Sequence, residues 1–90
     1  MKKRVIIKVA GKVQGVFFRA SIFNKAQQLL LGGWVRNQKD GGVKVTAEGG
    51  EEKLKELVKY CQSGPEFANV EGLDVKWEEA NGEFNEFMIK

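Results

Sequence analysis

The stretch Gly11-Lys12-Val13-Gln14-Gly15-Val16-Phe17-Phe18-Arg19 sets two glycines and an arginine between an alternating apolar strand pattern and the start of a helical one. Glycine lets the backbone take positive φ or approach a ligand closely, and successive amide N–H groups in such a turn can face one concavity that suits an anion. Arg19, at the start of the helix, adds a guanidinium to the unpaired N–H groups and the positive end of the helix dipole. In outline this is a phosphate site. The order strand, glycine loop, helix also occurs as a plain structural turn, so the glycines alone leave both readings open.

Composition narrows the chemistry further. The chain has no histidine, which removes the usual metal ligand, the usual general base near neutral pH, and every Ser-His or Cys-His nucleophile arrangement. Cys61 is the only cysteine, which rules out an intrachain disulfide and a thiolate metal cage and points to a reducing compartment. Lys and Arg number 15 against 12 Asp and Glu, a net charge of +3 spread along 90 residues. That balance argues against an extended nucleic-acid footprint and leaves room for a local anion site. Met1-Lys2-Lys3-Arg4 is basic, but the apolar run behind it stops at Lys8, too short for a signal peptide or a membrane span. The expectation is one cytoplasmic domain over residues 1–90.

The elements that must carry the loop follow from periodicity. Val5, Ile7 and Val9 alternate as a strand, and Ile22, Phe23, Ala26, Leu29 and Leu30 fall at helical spacing, with Gly32-Gly33 expected to end that helix. Trp34 to Asn37 is extended, Asp40-Gly41 signals a hairpin, and Val43, Val45 and Ala47 return as a half-buried strand. Glu51 and Glu52 open a second helix with its apolar stripe at Leu54, Leu57, Val58 and Cys61, and Gly64-Pro65 stops it. Leu73, Val75 and Trp77 form a fourth strand, Asn81-Gly82 a turn, and Phe84 to Ile89 a terminal strand. The order βαββαβ fits an α+β, ferredoxin-like split β-α-β sandwich: an antiparallel sheet with two helices on one face. That architecture serves many functions, so it gives none by itself.

The residues carry more than an architecture. Gly11 to Arg19 resembles the signature loop of the acylphosphatases, and Gly33-Trp34-Val35-Arg36-Asn37 with Asp40-Gly41 resembles the second signature of the same family. Ala26 and Leu29, Gly64-Pro65 with Ala68 and Val70, and Phe87 with Ile89 also fall where the family pattern expects them, so the similarity spans nearly the whole chain. It implies hydrolysis of the carboxyl–phosphate bond of a small-molecule acyl phosphate to a carboxylate and inorganic phosphate, without metal or cofactor. Nucleic acid, membrane and a second subunit have no part in it. By the same resemblance Arg19 and the loop amides of Gln14, Gly15, Val16, Phe17 and Phe18 bind the phosphoryl group, and Asn37 positions the attacking water. The alternative is a non-catalytic module of the same fold that binds an anion, an acyl phosphate or RNA.

Each residue also has a structural reading. Arg19 can be a solvated first-turn arginine, and Asn beside Asp-Gly commonly serves the turn itself. Phe17, Phe18 and Phe23 could form a stacking platform, but their places in a loop and on a helix's apolar face suit packing. Trp34 and Trp77 are read as structural, Arg36 as solvent-facing, and Cys61 as a buried thiol. Leu30 departs from the family, which has glycine there; the first helix is therefore expected to run on, with Gly32 or Gly33 as its cap.

Overall fold

In the computed structural model, residues 2–15, 17–66 and 68–90 are described. Strand β1 (Lys2–Lys12) leads through the glycine loop to helix α1 (Phe18–Gln28). Strands β2 (Gly32–Asn37) and β3 (Val43–Gly50) form the hairpin. Helix α2 (Glu51–Ser63), β4 (Asn69–Glu79) and β5 (Phe87–Ile89) complete the chain. The sheet order is β4-β1-β3-β2-β5. Four strands pair antiparallel, as the sequence suggested, while β5 pairs parallel to β2. The sheet is therefore mixed at one edge.

Register explains why one face is dry. Val9 lies opposite Val43 and Leu73, Ile7 opposite Val45 and Val75, and Val5 opposite Ala47 and Trp77, so alternate positions on neighbouring strands point the same way. Onto this face α1 lowers Phe18, Ile22 and Ala26, and α2 lowers Leu54, Leu57 and Cys61, all buried. Each fully buried Leu, Ile or Phe contributes roughly 1.5–3 kcal/mol. The two helices divide the sheet: α1 lies over β2 and β5, and α2 over β1, β3 and β4. Burial pushes the Cys61 thiol up to about 12, which keeps it protonated and unreactive.

The end of α1 differs from the sequence expectation. The helix stops at Gln28 rather than running on, and both Gly32 and Gly33 belong to β2. Leu30 itself takes the left-handed conformation at φ 59°. The Leu31 N–H donates to the Ala26 carbonyl at 3.0 Å and the Leu30 N–H to that of Gln27 at 3.1 Å, the paired bonds of a Schellman cap. The register demanded by β2 outweighs the side chain's dislike of positive φ, and the side chain is left 88% exposed rather than on the helix's apolar face. Replacing Leu30 by glycine therefore removes a strain of about 1 kcal/mol and sacrifices no packing, offset in part by added unfolded-state entropy. We expect Leu30→Gly to stabilise the fold by about 0.5 kcal/mol, read as a higher denaturation midpoint at unchanged m-value; a lower midpoint would refute the cap assignment.

A buried ion pair pins the segment between β4 and β5 to the open face. Glu48, only 7% exposed, accepts from Arg4 Nε at 2.8 Å and from the N–H groups of Asn81 and Gly82, both at 3.1 Å. Arg4 also binds Asn81 Oδ1 at 2.9 Å and Glu83, and its guanidinium stacks 5.2 Å from the Phe84 ring centre. Burial alone would raise the Glu48 carboxyl; the Asn81 amide, Arg4 and the Gly82 amide outweigh it and hold the group below its ordinary value of 4.5. A carboxyl depressed in the native state stabilises above its unfolded pKa, and that contribution is lost as the pH falls through the native pKa. Glu48→Gln should cost about 2 kcal/mol at pH 7, less than a fully severed buried pair because Glu83 still faces Arg4, and should flatten the fall of stability below pH 4.5. Melting curves from pH 7 to 3 check this, and parallel acid limbs in the two proteins would contradict it.

Candidate active site

Topology brings the two halves of the site to one end of the sheet. β3 runs against β1 and β2 runs against β3, so β1 and β2 point the same way and finish at the same edge. Val9 lies opposite Val43, and Val43 opposite Asn37. Two strand spacings, ~10 Å, therefore separate Asn37 from β1 just before the chain leaves the sheet for the loop. By register Asn37 shares the helix-covered face with Val35, and Arg36 points to the other face, as alternation required.

The loop is buried at both ends, by Val13 and Phe18 in the core, and exposed at Gly15 and Phe17. Gly15 has φ 75°, and nothing lies within 4 Å of where a Cβ would be, so its backbone faces open space. Gly11 does a different job from the one its motif suggested. Its positive φ of 127° belongs to a bulge in β1, where a Cβ would meet Asn69 O of β4 at 2.1 Å. Of the two glycines, only Gly15 borders the cleft. Phe17 caps α1 in the left-handed conformation, φ 61°, with no side-chain cap bond and no acidic residue in the first turn. The first N–H groups of α1 thus have no side-chain acceptor and carry the positive end of the dipole.

Arg19 stands in that first turn. Its one hydrogen bond among the described residues is a long contact from Nη1 to the backbone oxygen of Lys90, 3.5 Å, and no Asp or Glu carboxylate lies within 4.0 Å of it there. The guanidinium keeps most of its donors for a ligand. Gly15, Phe17, Phe18, Arg19, Asn37 and Ile89 line one cleft of about 280 Å³ together with Val13 and Ala20. Of the residues expected to form the site, Val16 lies outside the described residues. Gln14 does not line the cleft. Its side chain instead donates to the carbonyls of Gln38 at 2.7 Å and Gly42 at 2.8 Å, which ties the loop to the β2–β3 hairpin. Sequence reasoning assigned Gln14 only its backbone amide and missed this link; a polar side chain inside a glycine loop was the available signal. It also missed Ile89, which parallel pairing with β2 carries to the cleft.

This topology, with part of the glycine loop, Arg19 and Asn37 lining one cleft, defines a small α+β sandwich. The chain is 51% identical over 87 residues to the acylphosphatase of Methylococcus capsulatus, covering 97% of this chain and 95% of that one. Its fold superposes on the acylphosphatase of Bacillus subtilis with a TM-score of 0.91 at 36% identity, covering 100% and 99% of the two chains. The acylphosphatase of Coxiella burnetii gives 0.87 at 37% identity, covering 99% and 93%. The family model for acylphosphatase matches residues 5–89, and the chain belongs to the acylphosphatase family.

Proposed function

We propose that the cleft hydrolyses acyl phosphates with Arg19 and the loop amides on the phosphoryl oxygens and Asn37 on the attacking water. The observation that carries this reading is the shared cleft: Gly15, Phe17 and Phe18 of the loop, Arg19, which has no Asp or Glu partner among the described residues, and Asn37 line one volume. The water oxygen attacks phosphorus, the bond from phosphorus to the acyl oxygen breaks, and carboxylate and inorganic phosphate leave. A carboxylate is the anion of an acid with a pKa of about 4, so it departs without protonation and no general acid is required. The phosphoryl transition state is loose and spreads charge over its equatorial oxygens, where a planar guanidinium and fixed amides act best. Water attacking such a centre needs orientation more than deprotonation, and an amide side chain supplies that. This is chemistry that a histidine-free domain can perform. The single buried thiol suits a reducing cytoplasm.

Hydrolysis of benzoyl phosphate in the presence of EDTA tests the reading. Turnover above background is expected, and activity that depends on added metal would count against it. In the same assay Asn37→Ala should lower kcat by roughly a hundredfold while the inhibition constant of inorganic phosphate moves less than about threefold. Equal losses in both would assign Asn37 to anion binding instead of water positioning.

A further inference from the structure

The face of the sheet that neither helix covers carries a feature the catalytic cleft does not use. Trp34, opposite Thr46 in register, is half-buried on that face. Three cations surround its ring: Arg36 Cζ at 4.8 Å, Lys90 Nζ at 5.3 Å and Lys44 Nζ at 5.9 Å from the centroid. Lys44 lies opposite Arg36 on one side and Lys8 on the other, which makes a row across β1, β3, β2 and the end of β5. With strands about 4.8 Å apart the row is ~14 Å long. Among the described residues none of Lys8, Lys44, Arg36 and Lys90 has an Asp or Glu carboxylate within 4.0 Å, and the acid nearest in register is Asp74 opposite Lys8. Like charges set directly opposite one another are unfavourable for folding, and the Trp34 ring offsets that repulsion for Arg36, Lys44 and Lys90 while leaving their charge uncompensated.

We propose that this face binds single-stranded RNA, the bases on Trp34 and consecutive phosphates along the row from Lys8 to Lys90. Sequence-tolerant binding of single strands combines a basic track with an aromatic stacking platform, and both are present here on adjacent strands. The near-even charge balance of the chain hid this, because two acids of the open face are drawn elsewhere, Glu48 by Arg4 and Glu78 3.5 Å from Lys76, which leaves Asp74 beside Lys8 at the far end of the row. An acidic peptide would use the same cations but leave the indole without a stacking partner. The proposal does not rest on the catalytic reading, since Asn37 and Arg19 line a cleft on the helix-covered side.

The test uses the whole chain and a fluorescein-labelled oligouridylate of roughly twelve nucleotides, followed by anisotropy. Binding is expected to weaken with salt at a log–log slope of about −3, as four single-strand phosphate contacts require. Lys8→Glu combined with Lys44→Glu should weaken it tenfold or more, with benzoyl phosphate hydrolysis unchanged and the circular dichroism spectrum intact. In a Trp77→Phe background the remaining Trp34 emission should be quenched as RNA is added. Absence of binding at low salt, equal affinity in the doubly reversed variant, unquenched Trp34 or displacement of the RNA by inorganic phosphate at constant ionic strength would each overturn the proposal. A polyglutamate peptide of similar length that binds as tightly would replace RNA with an acidic polypeptide as the ligand class.

Discussion

Arg19→Ala is expected to reduce the rate of benzoyl phosphate hydrolysis by on the order of a hundred- to a thousandfold or more, the cost of deleting a principal donor to a developing oxyanion. The prediction is sharp because little else depends on this side chain. Its only hydrogen bond among the described residues is the exposed 3.5 Å contact to Lys90, and it has no Asp or Glu partner there, so removing it leaves no buried charge behind. The melting temperature should move by no more than a few degrees. Arg19→Lys keeps the charge and loses the planar fork, and should recover only part of the rate. Steady-state kinetics at saturating and limiting substrate, with a thermal melt of each variant, decide the matter. Near wild-type turnover in Arg19→Ala would remove the arginine from the mechanism, and a large fall in melting temperature would make its role structural.

Gly33→Ala should be the most damaging single methyl group in the chain. Gly33 has φ 142°, and a Cβ there would come within 1.9 Å of Thr46 O and 2.8 Å of Ala47 Cα in β3. Backbone on the central strand cannot swing aside as a side chain can. On the other side the Gly33 N–H donates to Glu86 O at 3.0 Å, just before β5 begins, so relief by shifting β2 would loosen both neighbours. A loss of about 4 kcal/mol or more is expected, a fall of roughly 15–30 °C in the melting temperature of a domain this size. Gly41→Ala is the useful comparison: its φ of 94° is also positive, but nothing stands within 4 Å of its Cβ, so only the conformational strain, about 1 kcal/mol, should appear. Similar melting temperatures for the two variants would mean that steric contact with β3 is not what holds glycine at position 33.

The elements were legible because their signals are local. Alternation at Val5, Ile7 and Val9 and the helical stripe at Leu54, Leu57 and Cys61 record which face is dry, whatever the partners. The candidate residues Arg19 and Asn37 were legible through the motif resemblance, and strand order then accounts for their meeting at one sheet end. What local pattern does not record is who pairs with whom. The direction of β5, three residues at an edge, is decided by its fit beside β2. Glu48 reads as the polar member of an alternating strand, and its burial under Arg4 and the Asn81-Gly82 turn depends on residues more than thirty positions away. Gly11 and Gly15 look alike in sequence, yet one makes room for a neighbouring strand and the other for open space. At Leu30, tertiary register overrides intrinsic preference, which no propensity scale could have foreseen.

The two bonds from Gln14 to the Gln38 and Gly42 carbonyls also fix how the site breathes. Those carbonyls flank the tip of the β2–β3 hairpin, where Gln38 and Gly42 are themselves joined, N–H to O, at 2.8 Å. An excursion of the loop therefore takes one donor from each of two main-chain oxygens, which keep their bonds within the tip, the Gly42 oxygen from Gln38 N–H and the Gln38 oxygen from Gly41 N–H. The coupling runs one way: fraying of the tip releases the loop, while the hairpin's own bonds outlast an opening of the loop.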